Sequence, residues 1–166
     1  MKKFSLILLI IFIANLGCKK IGGGGLCACS PISGPSFALI IKGNSGVDLL
    51  NPATTGYLDK NQIQIYSKDA NNAIKQISFN VNSPFTYTAD NKVTYYQLTS
   101  WELPILSKTI DNTFYLKLGN DKLYELNLKI DKNSVEKLLI DKKEAPKEYP
   151  NSTTKPISEI FNLQVQ

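Results

Sequence analysis

The side chains able to do chemistry in this 166-residue chain are three cysteines (Cys18, Cys27 and Cys29), fourteen carboxylates and nineteen lysines, with no histidine. Without imidazole there can be no His-dependent nucleophilic triad, no HExxH metal site and no imidazole pH switch. Carboxylates alone could serve a hydrolase, which would need two of them converging in one cleft at roughly 5 to 10 Å. Nearly every Asp and Glu adjoins Lys or Asn in a turn or at an outward strand position, the pattern of solvated surface charge. Ser67 and Lys68 are adjacent, so on a strand they point to opposite faces and make no Ser/Lys nucleophile. Asp131 and Asn133 begin like a calcium loop, but Val135 and Glu136 stand where an oxygen ligand and the sharp-turn glycine are required. Phosphate-loop and dinucleotide-type glycine patterns are absent. The reading is therefore of a chain with no catalytic residue, no metal site and no cofactor.

Two other groups could recognise a ligand. Cys27 and Cys29 form a C-x-C pair, open to a soft-metal thiolate role that would need outside ligands, a strained local disulfide, or two inert thiols. Tyr95, Tyr96 and Trp101 fall within seven positions, and consecutive Tyr95 and Tyr96 on a strand face opposite sides. Exposed tyrosine and tryptophan suit contact with a glycan or a protein, whereas buried ones would simply fill a core.

The N-terminus carries an address. Lys2 and Lys3 precede an unbroken apolar run from Leu6 to Ala14, and then come Asn15, Leu16 and Gly17. A helix from Phe4 to Leu16 would be about 20 Å long at about 1.5 Å per residue, too short for a hydrocarbon core of about 30 Å. Residues 1–17 thus read as an export signal. Leu16, Gly17 and Cys18 resemble the lipobox of bacterial lipoproteins, although Asn15 departs from the usual aliphatic residue there. The resemblance implies cleavage between Gly17 and Cys18, with covalent diacylglyceryl and N-acyl lipid on Cys18. It also implies a protein anchored to the cell envelope, and Lys19 in place of the retaining aspartate is compatible with the outer membrane. Two or three acyl chains hold a protein stably where one does so only marginally.

Five of the ten glycines fall between Lys19 and Ser36, with Pro31 and Pro35. Such a stretch cannot repay its ordering entropy by burial, so residues 18–36 read as the lipidated cysteine and a flexible tether, reaching about 20 to 25 Å.

The elements that must position any site lie in residues 37–166, where the dominant pattern has period two. Phe114, Leu116 and Leu118 alternate with Tyr115 and Lys117; after Gly119, Asn120 and Asp121, the residues Tyr124, Leu126, Leu128 and Ile130 alternate with polar ones. These two runs predict a hairpin. Shorter runs predict strands at Phe37–Lys42, Gln62–Tyr66, Ile74–Val81, Val93–Ser100 and Ile157–Val165. Val135–Ile140 reads as a strand, with a helix capped by Asn133 and Glu136 as the alternative. Lys142–Thr154, with Pro146 and Pro150, reads as a loop. The expected architecture is one all-β domain, an antiparallel β-sandwich of immunoglobulin-like or transthyretin-like type.

The formal charge is +5, and about +3 once Lys2 and Lys3 are removed. All basic residues are lysine, so the bidentate forks that read guanine or phosphate are missing and no nucleic-acid partner is expected. The layout of signal, cysteine, glycine-rich tether and one sandwich resembles small Bacteroidota-type cell-envelope lipoproteins. Together these readings predict a non-enzymatic, lipid-anchored binding or scaffolding module. A glycan-binding accessory protein using Tyr95, Tyr96 and Trp101 is the first alternative, and a carboxylate-only hydrolase the second.

Overall fold

The computed structural model describes residues 34–88, 91–132, 134–148 and 159–165. Strand β1 (Phe37–Lys42) is followed by one 3₁₀ turn (Lys60–Gln62) and then by β2 (Ile63–Lys68), β3 (Ile74–Gln76), β4 (Asn80–Asn82), β5 (Phe85–Thr88), β6 (Asn91–Val93) and β7 (Gln97–Ser100). A short helix, α1 (Glu102–Leu106), leads to β8 (Thr113–Leu118), β9 (Lys122–Asp131), β10 (Ser134–Ile140), β11 (Lys143–Glu144) and β12 (Ile160–Gln164). One sheet has the order β12-β1-β7-β4 and the other β11-β10-β9-β8-β2-β3, with β5 and β6 forming a separate hairpin.

The two larger sheets make an all-β sandwich around one apolar core. Alternation does most of the work: Phe114, Leu116 and Leu118 of β8 are buried, while Thr113, Tyr115 and Lys117 between them are half-exposed. Across the ladder Phe114 faces Leu126 on β9, and Leu116 faces Ile65 on β2, so the buried rows of neighbouring strands coincide. Removing each such side chain from water contributes about 1.5 to 3 kcal/mol. β1 does not alternate, because both its faces are covered. Phe37, Leu39 and Ile41 enter the main core, while Ala38 and Ile40 join Val93 and Ile160 in a second cluster on the outer face.

Both edges of the sandwich are closed by segments that change sheet. On one side the chain leaves β3, which pairs with β2; Ile77 N–H donates to the Ile65 carbonyl (2.8 Å), and the chain enters β4, which pairs with β7 of the other sheet. On the other side β11 pairs with β10, and Ala145 N–H donates to Leu138 (2.9 Å). Within the next three residues the same segment serves β12: the Pro146 carbonyl accepts from Asn162 N–H (2.9 Å) and Glu148 N–H donates to the Ile160 carbonyl (2.8 Å). Sheet-switching strands of this kind leave no long row of unpaired backbone groups as a template for aggregation.

Several details differ from the sequence reading. Pairing is antiparallel throughout the described ladders except between β1 and β12, which run parallel, Ala38 facing Ile160. The run Ile74–Val81 is two strands belonging to different sheets, broken by Ile77–Phe79. Within Lys142–Thr154, residues 143–148 are not loop but the closing segment of the sandwich; Asn151 to Thr153 lie outside the described residues. Val93–Ser100 is interrupted, so Tyr95 and Tyr96 sit between β6 and β7 rather than on a strand. Val135–Ile140 is strand, as expected. Here β10 pairs with β9 through a bulge between Val135 and Lys137.

Candidate functional site

Of the residues singled out by sequence, Gly17, Cys18, Cys27 and Cys29 lie outside the described residues. Tyr95, Tyr96 and Trp101 are described, and they do not form one surface. Tyr95 packs on the outer cluster of Ala38, Ile40, Val93 and Ile160, and its ring lies 3.9 Å beneath the Lys42 ammonium. Tyr96 turns the other way and packs against the main core, its N–H donating to Asp48 Oδ2 (2.7 Å). Both are half-buried and engaged. Trp101 alone is open, 63% exposed, at the start of α1 and about 20 Å of extended chain from Tyr95. Ile105, four residues on and 56% exposed, shares its side of the short helix, so the two form a small apolar tip.

The Lys42 ammonium is itself part of a network. It donates to Glu148 Oε1 at 2.7 Å, and Glu148 Oε2 accepts from Asn162 Nδ2 at 2.7 Å. Burial, the largest single influence on Lys42, pulls its pKa down, but the hydrogen bond and charge of Glu148 together with Tyr95 outweigh it, and the net shift is upward.

A groove of about 600 Å³ lies at the corner closed by residues 143–148. The start of β9, the β10–β11 turn and the end of β12 form its walls. Leu123, Tyr124, Pro146 and Leu163 supply apolar surface; Asn162 and Gln164 supply amide oxygens, their nitrogens already donating to Glu148 Oε2 and the Gly43 carbonyl. The turn is two residues long, Asp141 (φ 49°) and Lys142 (φ 66°), both left-handed, which matches the twist of a tight hairpin. Asp141 clamps it to β9: its N–H donates to the Glu125 carbonyl, and its Oδ1 accepts from Glu125 N–H, both at 2.9 Å. That clamp sets the position of Tyr124 next along the strand. Burial first, and the Asp141 charge second, push the Tyr124 pKa up, so its hydroxyl stays neutral and can both donate and accept. A fixed phenol, two amides and an apolar floor, rimmed by Asp121, Lys143 and Glu144, suit a ligand with both polar and apolar groups.

A second groove, of about 690 Å³, lies between the β2–β3 turn and residues 111–115. Of its two aromatic residues Phe114 is buried in the core, and Tyr115 stacks on Tyr66 at 5.2 Å and carries the Lys68 ammonium at 4.8 Å, so both rings are engaged. Asp69, on the same wall, accepts from Asn71 and Ala73 N–H groups (2.8 Å each) and is spent on its own turn.

Most of the other described carboxylates follow the same rule. Asp48 holds Leu50 and Tyr96 N–H groups, Asp59 caps the 3₁₀ turn through Asn61, and Glu102 holds Ser78 N–H at 2.8 Å. Glu136, Glu144 and Glu159 pair with Lys129, Lys137 and Lys147. Among the described residues no group of three or more Cys, Asp or Glu side chains is placed to hold a metal ion. No described helix is long and apolar enough to cross a membrane.

Sequence reasoning missed the Tyr124 groove and Ile105. The groove is assembled from three segments far apart in the chain. Ile105 could have been found from its spacing to Trp101, had α1 been foreseen. Comparison of the chain with protein-family models, with curated proteins and with solved structures finds no match.

Proposed function

We propose that this is a lipid-anchored cell-envelope protein whose sandwich is a non-enzymatic binding module, taking its ligand in the Tyr124 groove. One observation carries the reading. Strand β1 starts at Phe37, where the tether from Cys18 arrives, and ends at Lys42, whose partner on β12 is Gln164 in the groove wall. Six strand residues separate the two by about 17 Å, so the groove lies at the opposite end of β1 from the point where the chain enters the sandwich. Engagement of most described carboxylates by backbone N–H groups and lysines favours binding over hydrolysis. The mixed lining favours a peptide or glycan segment of the envelope over a purely apolar ligand. The separation of Trp101 from Tyr95 and Tyr96 counts against an aromatic glycan platform built from those three.

Photo-crosslinking in intact envelopes tests it. A crosslinker at Leu123, exposed on the groove wall, is expected to give a discrete adduct that Tyr124→Ala removes. The same group at Gln64, exposed on the outer face of β2, is expected to give none. Equal adducts at both positions, or none at Leu123, would overturn the assignment of the groove.

A further inference from the structure

The exposed tip of Trp101 and Ile105 belongs to the same end of the sandwich as the tether. In the β1–β7 ladder Phe37 faces Ser100, so Ser36, the last residue before the strand, leaves the sheet beside Trp101. Cys18 lies eighteen residues before Ser36, a reach of about 20 to 25 Å for a chain of this composition. The chain therefore enters the sandwich at the face that presents Trp101 and Ile105.

The chemistry of that face fits a bilayer surface. Indole is the side chain best suited to the boundary between headgroups and acyl chains, and an adjacent isoleucine extends the apolar contact. The Glu102 carboxylate, next to Trp101, accepts from Ser78 N–H at 2.8 Å, a surface bond that partly offsets its charge. Lys108, two residues past α1, is exposed, and Lys60 lies over the Phe79 ring beside Ser78, its ammonium 5.6 Å from the ring centre. Lysine near an anionic lipid surface adds attraction that operates within a Debye length.

We infer that the Trp101–Ile105 tip docks on the anionic phospholipid surface to which Cys18 is anchored, fixing the domain upright with the Tyr124 groove outward. The inference rests on the lipid-anchor reading above. Tethering keeps the tip at high effective concentration near the surface, so a contact too weak to recruit a free protein suffices to orient an attached one.

Trp101 is the only tryptophan, so its fluorescence reports this face alone. The lipidated full-length protein is reconstituted into phosphatidylethanolamine–phosphatidylglycerol vesicles, with and without bromine on the upper acyl chain, and flotation is measured on the same samples. Docking predicts a blue-shifted emission quenched by about half or more in brominated vesicles. In Ile105→Asp, whose side chain is exposed, quenching should fall several-fold while flotation and thermal unfolding stay unchanged. Flotation with unquenched Trp101 would overturn docking and leave the anchor standing. Loss of flotation would overturn the anchor reading and this inference with it. A blue shift produced by isolated peptidoglycan sacculi instead of vesicles would also overturn it, by assigning the face to a glycan.

Discussion

Replacing Glu148 with glutamine tests how the sandwich is closed. The Lys42 Nζ to Glu148 Oε1 contact is 2.7 Å, and the two side chains are only 12% and 14% exposed. Glu148→Gln keeps an oxygen acceptor but removes the counter-charge, leaving the lysine charge with only the amide oxygen and the Tyr95 ring at a site that water reaches poorly. A charge-assisted hydrogen bond is worth about 1.5 to 3 kcal/mol, and breaking a fully buried pair costs about 3 to 5. With a little exposure retained, the expected loss is about 2 kcal/mol. For a domain of this size that lowers Tm by about 6 to 10 °C. Replacing both partners, Lys42→Met with Glu148→Leu, removes charge and counter-charge together and is expected to cost about 1 kcal/mol or less. Lys42 has a raised pKa, so its contribution is complete below the unfolded lysine value and is lost as pH rises through the higher folded one. The gap between the protein and Glu148→Gln should therefore hold through neutral pH and narrow only above about pH 10.4. Thermal unfolding followed by circular dichroism at pH 7 and above pH 10 gives these numbers. A Tm unchanged within 1 °C in Glu148→Gln, or a double variant less stable than either single one, would refute the reasoning.

Three further outcomes follow from local geometry. Leu116 is fully buried between β2 and β9, and Leu116→Ala should lose about 3 to 4 kcal/mol in urea unfolding, where a loss under 1 would contradict its place in the core. Lys142 holds φ 66° in the β10–β11 turn, so Lys142→Gly should gain about 0.5 to 1 kcal/mol instead of losing stability, read by the same titration. Asp59 is held below the usual carboxylate value, chiefly by the Asn61 N–H. Its support of the 3₁₀ turn should be complete above the unfolded pKa and vanish as pH falls through the lower folded one, so Asp59→Asn should matter at pH 6 and not at pH 2, with NMR titration of the carboxyl as the check.

Local rules made part of this fold legible. Strands β8 and β9 could be read because Phe114, Leu116 and Leu118 alternate before Gly119, and that glycine takes φ 61° in the turn. Val135–Ile140 resolves as strand because its apolar side chains find a facing row on β9, a tertiary fact that the Asn133 and Glu136 pattern does not carry. Helix α1 was hidden by Pro104 and by its length of five residues, too short for a period to show. Which sheet a run joins is also not local: Lys75 and Val81 stand six positions apart and pair with Ser67 and Leu98 on opposite sheets. The parallel partner of Ala38 is Ile160, across nearly the whole chain. The Tyr124 groove was invisible for the same reason, since Tyr124, Pro146 and Asn162 meet only once residues 143–148 close the corner. Tyr95 and Tyr96 pack on different clusters although they lie between strands and not on one, and their packing leaves Trp101 as the one exposed member of the three.

The lipid anchor on Cys18 is tested most directly by metabolic labelling with radioactive palmitate. The protein should incorporate label, migrate as a processed form, and accumulate as an unprocessed precursor when signal peptidase II is inhibited by globomycin; Cys18→Ser should carry no label. A processed, unlabelled protein whose maturation is indifferent to globomycin and to Cys18→Ser would contradict the anchor and the outward placement of the Tyr124 groove together.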